Sequence, residues 1–162
     1  GEEVIFLPDQ NLASWVARFT EKRIIPWDGF CYVHARMTVD DVLQSREASS
    51  NGRVVVHPEC KPEVVDLSDD VLGTGGMVRL AKESDSKRFI IGTEEGLLYR
   101  LKRENPGKEF YTLGPARMCR NMKITRLEDV YLALRDEKFK IEVEEEVSRK
   151  ARRALDRMLE FA

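Results

Sequence analysis

The chain has 162 residues, of which 42% are hydrophobic, enough for one ordinary domain or two small ones with a real core. Its 27 basic and 29 acidic residues give a net charge of −2, which provides no electrostatic case for binding nucleic acid or an anionic membrane. No apolar run approaches the roughly 20 residues that cross a bilayer, and the N-terminal residues lack a signal-peptide pattern. We therefore expect a cytoplasmic protein, and its odd number of cysteines argues against a disulfide framework.

Short strands and helices alternate along the chain, a pattern that predicts an α/β fold with parallel sheets covered by helices. Asn11 is expected to cap the first helix (12–20), and Thr38 the second. Thr93 is expected to begin a helix that runs to about Arg103, and the last helix begins near Glu144. The expected strands begin at Val4, Arg23, Val54, Asp70, Arg88 and Glu109.

The most informative stretch is a run of three valines, 54–56, followed at once by His57, Pro58 and Glu59. The valines are typical of a short strand buried on both faces. Residues two apart on an extended chain point to the same side, so His57 and Glu59 are expected to project together from the strand's carboxyl end. Ligands of open α/β sheets bind at that end, and a proton-transfer pair would suit it. Alternatively, Glu59 caps a helix that begins near Pro62.

A glycine-rich turn, Gly73-Thr74-Gly75-Gly76, joins a brief strand to a helix. Glycines let backbone N–H groups approach an anion, and the start of a helix favours negative charge. The Thr74 hydroxyl could donate to a carboxylate or phosphate. The pattern is neither a Walker loop nor a dinucleotide fingerprint, and a plain tight turn remains an alternative.

Cys31 and Cys119 each lie in a loop just beyond a strand, 88 residues apart and in similar surroundings. This similarity predicts a duplicated unit of that length. The two cysteines are either packing residues or metal ligands, and two thiolates cannot complete a zinc or iron–sulfur site by themselves. His34 follows Cys31 by three residues and either joins a metal site or braces the loop. Cys60 is expected to be structural.

Several separate segments together resemble the quinolinate synthase family, in the same order and at similar spacing. They are Pro8-Asp9-Gln10-Asn11-Leu12, Gly29-Phe30-Cys31-Tyr32-Val33-His34, His57-Pro58-Glu59-Cys60, Gly73-Thr74-Gly75-Gly76-Met77, Gly92-Thr93-Glu94 and Cys119-Arg120-Asn121-Met122-Lys123. The resemblance covers nearly the whole chain. It implies condensation of iminoaspartate with dihydroxyacetone phosphate to quinolinate, the precursor of the NAD pyridine ring, at a 4Fe-4S cluster with one open iron that acts as a Lewis acid.

The resemblance also implies roles for individual residues. Cys31 and Cys119 would be the second and third of three cluster ligands. His57 and Glu59 would be catalytic groups that also bind substrate, with Pro58 between them, and Thr74 would contact a substrate anion. The family usually has a serine where this chain has Gly73, which affects one hydroxyl contact.

The family's fold implies repeated three-layer αβα units with short parallel sheets, within a pseudo-threefold architecture of three domains. The chain is then expected to be the C-terminal part of such an enzyme, without the first cluster cysteine. Residues 1–30 would end the middle domain, 31–118 would form the third domain, and 119–162 a C-terminal helical segment. The partners implied are the two small-molecule substrates and the remaining N-terminal part of the enzyme, with no nucleic acid and no membrane.

Two other classes of function remain open. The chain could be a non-catalytic α/β module that binds a small anion or self-associates. It could also be a zinc-dependent hydrolase that uses Cys31, His34 and His57, although it carries no HExxH motif.

Overall fold

A computed structural model describes residues 2–161, which contain six strands and seven α-helices. The strands are β1 Glu3–Phe6, β2 Arg23–Pro26, β3 Arg53–Val56, β4 Asp70–Val71, β5 Arg88–Gly92 and β6 Glu109–Thr112. The helices are α1 Gln10–Ala17, α2 Val39–Ala48, α3 Pro62–Val65, α4 Thr74–Glu83, α5 Leu97–Glu104, α6 Leu127–Arg135 and α7 Glu145–Leu159, with a short 3-10 helix at His34–Arg36. Among these residues, no helix combines the length and the apolarity needed to cross a membrane.

The chain divides into two compact units, Gly1–Cys119 and Arg120–Ala162. The first unit holds a two-stranded parallel sheet, β1–β2, and a four-stranded parallel sheet in the order β4-β3-β5-β6. The second unit holds α6 and α7, and neither of these helices has a buried residue. The predicted α/β class with short parallel sheets is confirmed, whereas the domain boundaries and the pseudo-threefold arrangement stay predictions.

The larger sheet is the middle of three layers because its central strands, β3 and β5, are apolar on both faces. Val54, Val56 and Ile90 face a core that includes residues of α2 and α3. Val55 and Ile91 face the opposite core, which is built with residues of α4 and α5. Successive side chains of a strand point to opposite faces, so an unbroken apolar run is what a strand between two helical layers requires.

Cys60 lies in the first of these cores, with 1% of its surface exposed and its Sγ 3.5 Å from Sδ of Met37. Burial raises the pKa of the Cys60 thiol to about 12, so the group is a protonated packing residue. The expectation that Cys60 is structural is confirmed.

Two helices begin at residues other than those expected. α1 begins at Gln10 because Asp9, not Asn11, is its N-cap: Oδ1 of Asp9 accepts a hydrogen bond from Leu12 N–H at 2.8 Å. α5 begins at Leu97 and not at Thr93, because Thr93 is buried directly after β5. The two residues expected as helix starts, Asn11 and Thr93, instead make tertiary contacts, with Glu59 and His34, that local sequence does not reveal.

Asp9 is only 2% exposed, and its second oxygen, Oδ2, accepts a hydrogen bond from Cys31 N–H at 2.7 Å. One carboxylate therefore fixes both the start of α1 and the loop that carries Cys31. We expect Asp9→Ala to lower the free energy of unfolding by about 2–4 kcal/mol, because two backbone donors lose a charged acceptor. Urea unfolding of the purified chain measures this change.

The matched control is Asp85→Ala, since Asp85 is an exposed loop aspartate. This substitution should change the free energy of unfolding by no more than about 0.5 kcal/mol. Equal stability losses in the two variants would contradict the role given to Asp9.

Candidate active site

The carboxyl ends of β3 and β5 lie side by side and begin the site. Val56 is paired with Gly92 in the parallel ladder, and His57 N–H donates to the carbonyl of Gly92 at 3.0 Å. The residues that follow each strand, His57 and Thr93, therefore emerge at the same edge of the sheet. This is the edge at which open α/β sheets bind their ligands.

His57 and Glu59 lie close together, although the chain between them is a turn and not the extended segment that we expected. Cys60 N–H donates to the carbonyl of His57 at 2.9 Å and closes this turn. Nδ1 of His57 lies 3.8 Å from Oε2 of Glu59, and Pro58 between them is buried. Glu59 does not cap the next helix, because the residue at the N-cap of α3 is Lys61. Its carboxylate thus faces the site.

His34 bridges the two strand ends. Cys31 and His34 share one helical turn, because Ala35 N–H donates to the carbonyl of Cys31 at 2.9 Å, and residues three apart on such a turn are neighbours. The His34 ring is held at both nitrogens: Nδ1 lies 2.9 Å from Oε2 of Glu59, and Nε2 lies 2.9 Å from Oγ1 of Thr93. His34 thus braces its loop, which was one of the two alternatives predicted for it. The group that it contacts is the carboxylate of Glu59, the candidate catalytic residue.

The two histidines of the chain stack on one another, with ring centroids 4.3 Å apart and ring planes 6° from parallel. Burial lowers the pKa of His34 from 6.5 to about 4. Burial, and next the neighbouring His34, lower the pKa of His57 to about 4 as well. Both rings are therefore neutral at pH 7. The neutral His34 ring has one N–H and one lone pair, so Nδ1–H donates to Glu59 while Nε2 accepts from the Thr93 hydroxyl.

Asp9 and Asn11, which lie between β1 and β2, hold Cys31 and Glu59 in place. Cys31 N–H is fixed by Asp9, and Nδ2 of Asn11 donates to the carbonyl of Glu59 at 3.2 Å. Asn11 therefore orients the Glu59 turn and does not cap a helix. Burial raises the pKa of the half-buried Cys31 thiol, and the nearby Glu59 carboxylate acts in the same direction.

Cys119 lies close to Tyr32 and Glu94, which directly follow Cys31 and Thr93 in sequence. The Tyr32 hydroxyl donates to Sγ of Cys119 at 3.4 Å, and Cys119 N–H donates to Oε1 of Glu94 at 3.3 Å. Both predicted cluster cysteines, Cys31 and Cys119, therefore lie near the carboxyl ends of the strands.

The loop before Cys119 is fixed to α2. Nη2 of Arg117 lies 3.0 Å from Oδ2 of Asp41, which is 8% exposed. Gly114, with φ of 61°, packs so closely on Asp41 that a β-carbon there would lie 2.1 Å from its Oδ1. A left-handed backbone in such close contact requires glycine.

The glycine turn borders the histidine pair. A β-carbon at position 73 would lie 4.0 Å from Nε2 of His57, and Thr74 opens α4 with an exposed side chain. The first amide groups of α4 therefore lie at the same sheet edge and are not used within the helix. Thr74 stays a predicted anion contact.

The structure thus brings Cys31, His57, Pro58 and Glu59 together, and places Cys119 and Thr74 in neighbouring segments. From the sequence, Thr93 was expected only to begin a helix, and His34 was expected either to join a metal site or to brace its loop. His57 directly follows β3 and Thr93 directly follows β5. Knowledge that these two strands pair would therefore have indicated that Thr93 lies beside His57. The three-residue spacing of Cys31 and His34 was visible, but their common helical turn was not.

Comparison with known families gives a match along almost the entire chain. The family model described as "Quinolinate synthetase A protein" matches residues 1–160. The chain is 50% identical over 157 residues to a protein of Thermodesulfovibrio yellowstonii named quinolinate synthase, an alignment that covers 96% of this chain and 52% of that protein. It is likewise 50% identical over 158 residues to a Geobacter sp. strain M21 protein of the same name, covering 98% of this chain and 52% of the relative.

A protein of Methanoregula boonei, also named quinolinate synthase, is 49% identical over 158 residues, with 98% of this chain and 52% of the relative covered. The chain therefore spans about half the length of the curated relatives it matches. Because the family model matches nearly every residue, the chain belongs to the quinolinate synthetase A family.

Proposed function

We propose that this chain supplies part of the active site of a quinolinate synthase. The proposed reaction is the condensation of iminoaspartate with dihydroxyacetone phosphate to quinolinate, in the biosynthesis of NAD. The observation that carries the proposal is the 50% identity, along nearly the whole chain, with proteins named quinolinate synthase. The chain covers 52% of those relatives, so we infer that the remaining half contributes further active-site groups.

Glu59 is the proposed general base. Its Oε2 receives the Nδ1–H of His34 at 2.9 Å and has Nδ1 of His57 at 3.8 Å, so the carboxylate is oriented by two rings. A carboxylate fixed in this way can take a proton from a substrate carbon or hydroxyl and return it to a leaving hydroxyl. The condensation requires both kinds of transfer, because it forms a ring and releases water and inorganic phosphate.

His34 is the proposed positioning residue, since it acts through Glu59. The Thr93 hydroxyl donates to Nε2 and fixes the tautomer in which Nδ1 carries the proton. His57, 17% exposed at its side chain, is the ring that can reach a substrate. The amide groups at the start of α4, with the Thr74 hydroxyl, are proposed to bind a carboxylate or the phosphate of the second substrate.

The donor set fits an iron–sulfur cluster in its chemistry. Cys31 and Cys119 offer two half-buried thiols in adjoining segments, and thiolates are the ligands that such clusters use. Cys60 is excluded as the third ligand because it lies in the core. We propose that Cys31 and Cys119 hold a 4Fe-4S cluster with a third cysteine from the other half of the enzyme. When bound, a cluster with one open iron supplies a Lewis acid for a substrate oxygen.

We expect the isolated chain to be inactive. After anaerobic reconstitution with iron and sulfide it should retain little iron and make no quinolinate, because two thiolates do not complete a cluster site. Iron counting and a quinolinate assay measure the two properties. Robust turnover by the chain alone would show that the other half of the relatives is not needed.

The role of Glu59 can be tested in a hybrid in which this chain replaces the matched segment of the Thermodesulfovibrio yellowstonii protein. The hybrid should make quinolinate, and Glu59→Gln should lower its kcat by about 100-fold or more, because the amide cannot accept a proton. Glu63→Gln is the matched control, since Glu63 is exposed four residues further along the chain, and it should leave kcat unchanged. Full activity of the Glu59→Gln hybrid would exclude Glu59 as the base.

A non-catalytic anion-binding module is the alternative function. The observation that favours it is the glycine-rich start of α4, where Gly73 is the N-cap and Thr74 is exposed. Such a module would bind phosphate or a dicarboxylate without making quinolinate in the hybrid, so the same assay separates the two functions.

A further inference from the structure

The small sheet β1–β2 has the same pairing geometry as β5–β6 in the larger sheet. In each pair the first residues of the two strands are opposite one another and form an ion pair. Arg23 lies 2.6 Å from Glu3, and Arg88 lies 2.6 Å from Glu109. A helix also joins the two strands in each case, α1 in the small sheet and α5 in the larger one. The segment β1–α1–β2 is therefore a structural equivalent of β5–α5–β6.

The equivalent positions differ sharply in their burial. Ile5 is the third residue of β1, as Ile90 is of β5, yet Ile5 is 73% exposed whereas Ile90 is buried. Trp27 directly follows β2 as Leu113 directly follows β6, yet Trp27 is 58% exposed whereas Leu113 is buried. Parallel sheets normally have both faces covered. One face of the small sheet thus exposes apolar side chains whose counterparts in the larger sheet belong to a core.

Two features bury Ile90 in the larger sheet. Strand β3 pairs with the other edge of β5, and Ile90 shares a core with Val42 of α2 and Val64 of α3. Within residues 2–161, β1 pairs with β2 alone and has no strand at its other edge. The small sheet therefore has the equivalents of β5 and β6, but it lacks the equivalent of β3.

The two outer edges of the small sheet differ in what they offer to another strand. Trp27 N–H donates to the carbonyl of Phe6 at 2.9 Å, so both of these groups point into the ladder. Successive residues of a strand direct their backbone groups to alternate sides, so Ile5 directs its N–H and C=O outward from β1. On β2 the outward position next to Trp27 is Pro26, which has no N–H. The free edge of β1 is thus suited to pairing, and β2 is suited to be an edge strand.

We propose that the free edge of β1 and the apolar face with Ile5, Ile25 and Trp27 bind a parallel β-strand and a covering helix from the half of the enzyme outside this chain. The matched region is 52% of the curated relatives, so their remaining half is long enough to supply both. The inference rests on membership of the family and not on the proposed catalytic residues or the cluster. The surface is therefore covered whether or not iron is present.

Amide hydrogen exchange at single-residue resolution tests the pairing. The two proteins compared are the full 162-residue chain and its hybrid with the Thermodesulfovibrio yellowstonii protein, both prepared without iron. In the isolated chain, Ile5 N–H should exchange nearly as fast as an unstructured amide, because it points to solvent. In the hybrid it should exchange about 100-fold more slowly or slower still. Ile24 N–H points outward from β2, so it should exchange fast in both proteins and is the internal control.

Ile5→Ser tests the apolar face, and Tyr99→Ser is the matched control because Tyr99 is similarly exposed on α5. Ile5→Ser should lower the melting temperature of the hybrid by about 5 °C or more, since a buried side chain is lost there. It should lower that of the isolated chain by no more than about 1 °C. Tyr99→Ser should affect the two proteins equally. An Ile5→Ser hybrid that fails to fold, beside a folded isolated variant, is the expected result in its strongest form.

The inference is overturned if Ile5 N–H exchanges as fast in the hybrid as in the isolated chain, or if Ile5→Ser affects both proteins equally. Slow exchange of Ile5 in the isolated chain that increases with concentration, together with a dimer in sedimentation, would assign the edge to a second copy of this chain and contradict the proposal. The quinolinate assay is a separate readout. An inactive hybrid with a protected Ile5 N–H leaves the inference standing, and an active hybrid with an unprotected one overturns it.

Discussion

The parallel pairing of β3 with β5 is the constraint on which the candidate site depends. It aligns Val56 with Gly92, so that the residues that follow both strands emerge side by side. The hydrogen bond from His57 N–H to Gly92 O extends the ladder by one residue into the site itself. The apolar side chains of β3 and β5 pack into two different cores on the two faces of the sheet, so a slip of one residue would move each of them into the core on the opposite face.

The second requirement is a set of buried polar contacts that carry loops to this edge. Asp9 joins the start of α1 to the Cys31 loop, and Asp41 joins α2 to the loop before Cys119. Both aspartates are less than 10% exposed, and a buried charge requires compensation. Backbone N–H groups compensate the charge of Asp9, and Arg117 compensates the charge of Asp41. The chain thereby fixes two thiols, two imidazoles and a carboxylate in place through contacts that are distant in sequence.

Much of the fold could be predicted from the sequence, because hydrophobic period and turn residues are local signals. The valine run of β3, the strand at Arg88 and the glycine-rich start of α4 all have such signals. The contacts of Thr93 and Asn11, and the hydrogen bond from Cys31 N–H to Asp9, could not be predicted, because in each the partner lies in another segment of the chain. Local sequence rules predict that Thr93 and Asn11 cap helices. In the structure both side chains instead form tertiary hydrogen bonds with residues of the candidate site.

His34 is held between Glu59 and Thr93, and imidazole nitrogen NMR tests this arrangement most directly. The chain has only two histidines, so His57→Asn assigns the spectrum. At neutral pH we expect His34 to be a single neutral tautomer with its proton on Nδ1, and Thr93→Val to shift the Nε2 resonance. A His34 ring that averages rapidly between tautomers, with resonances unchanged by Thr93→Val, would contradict the arrangement.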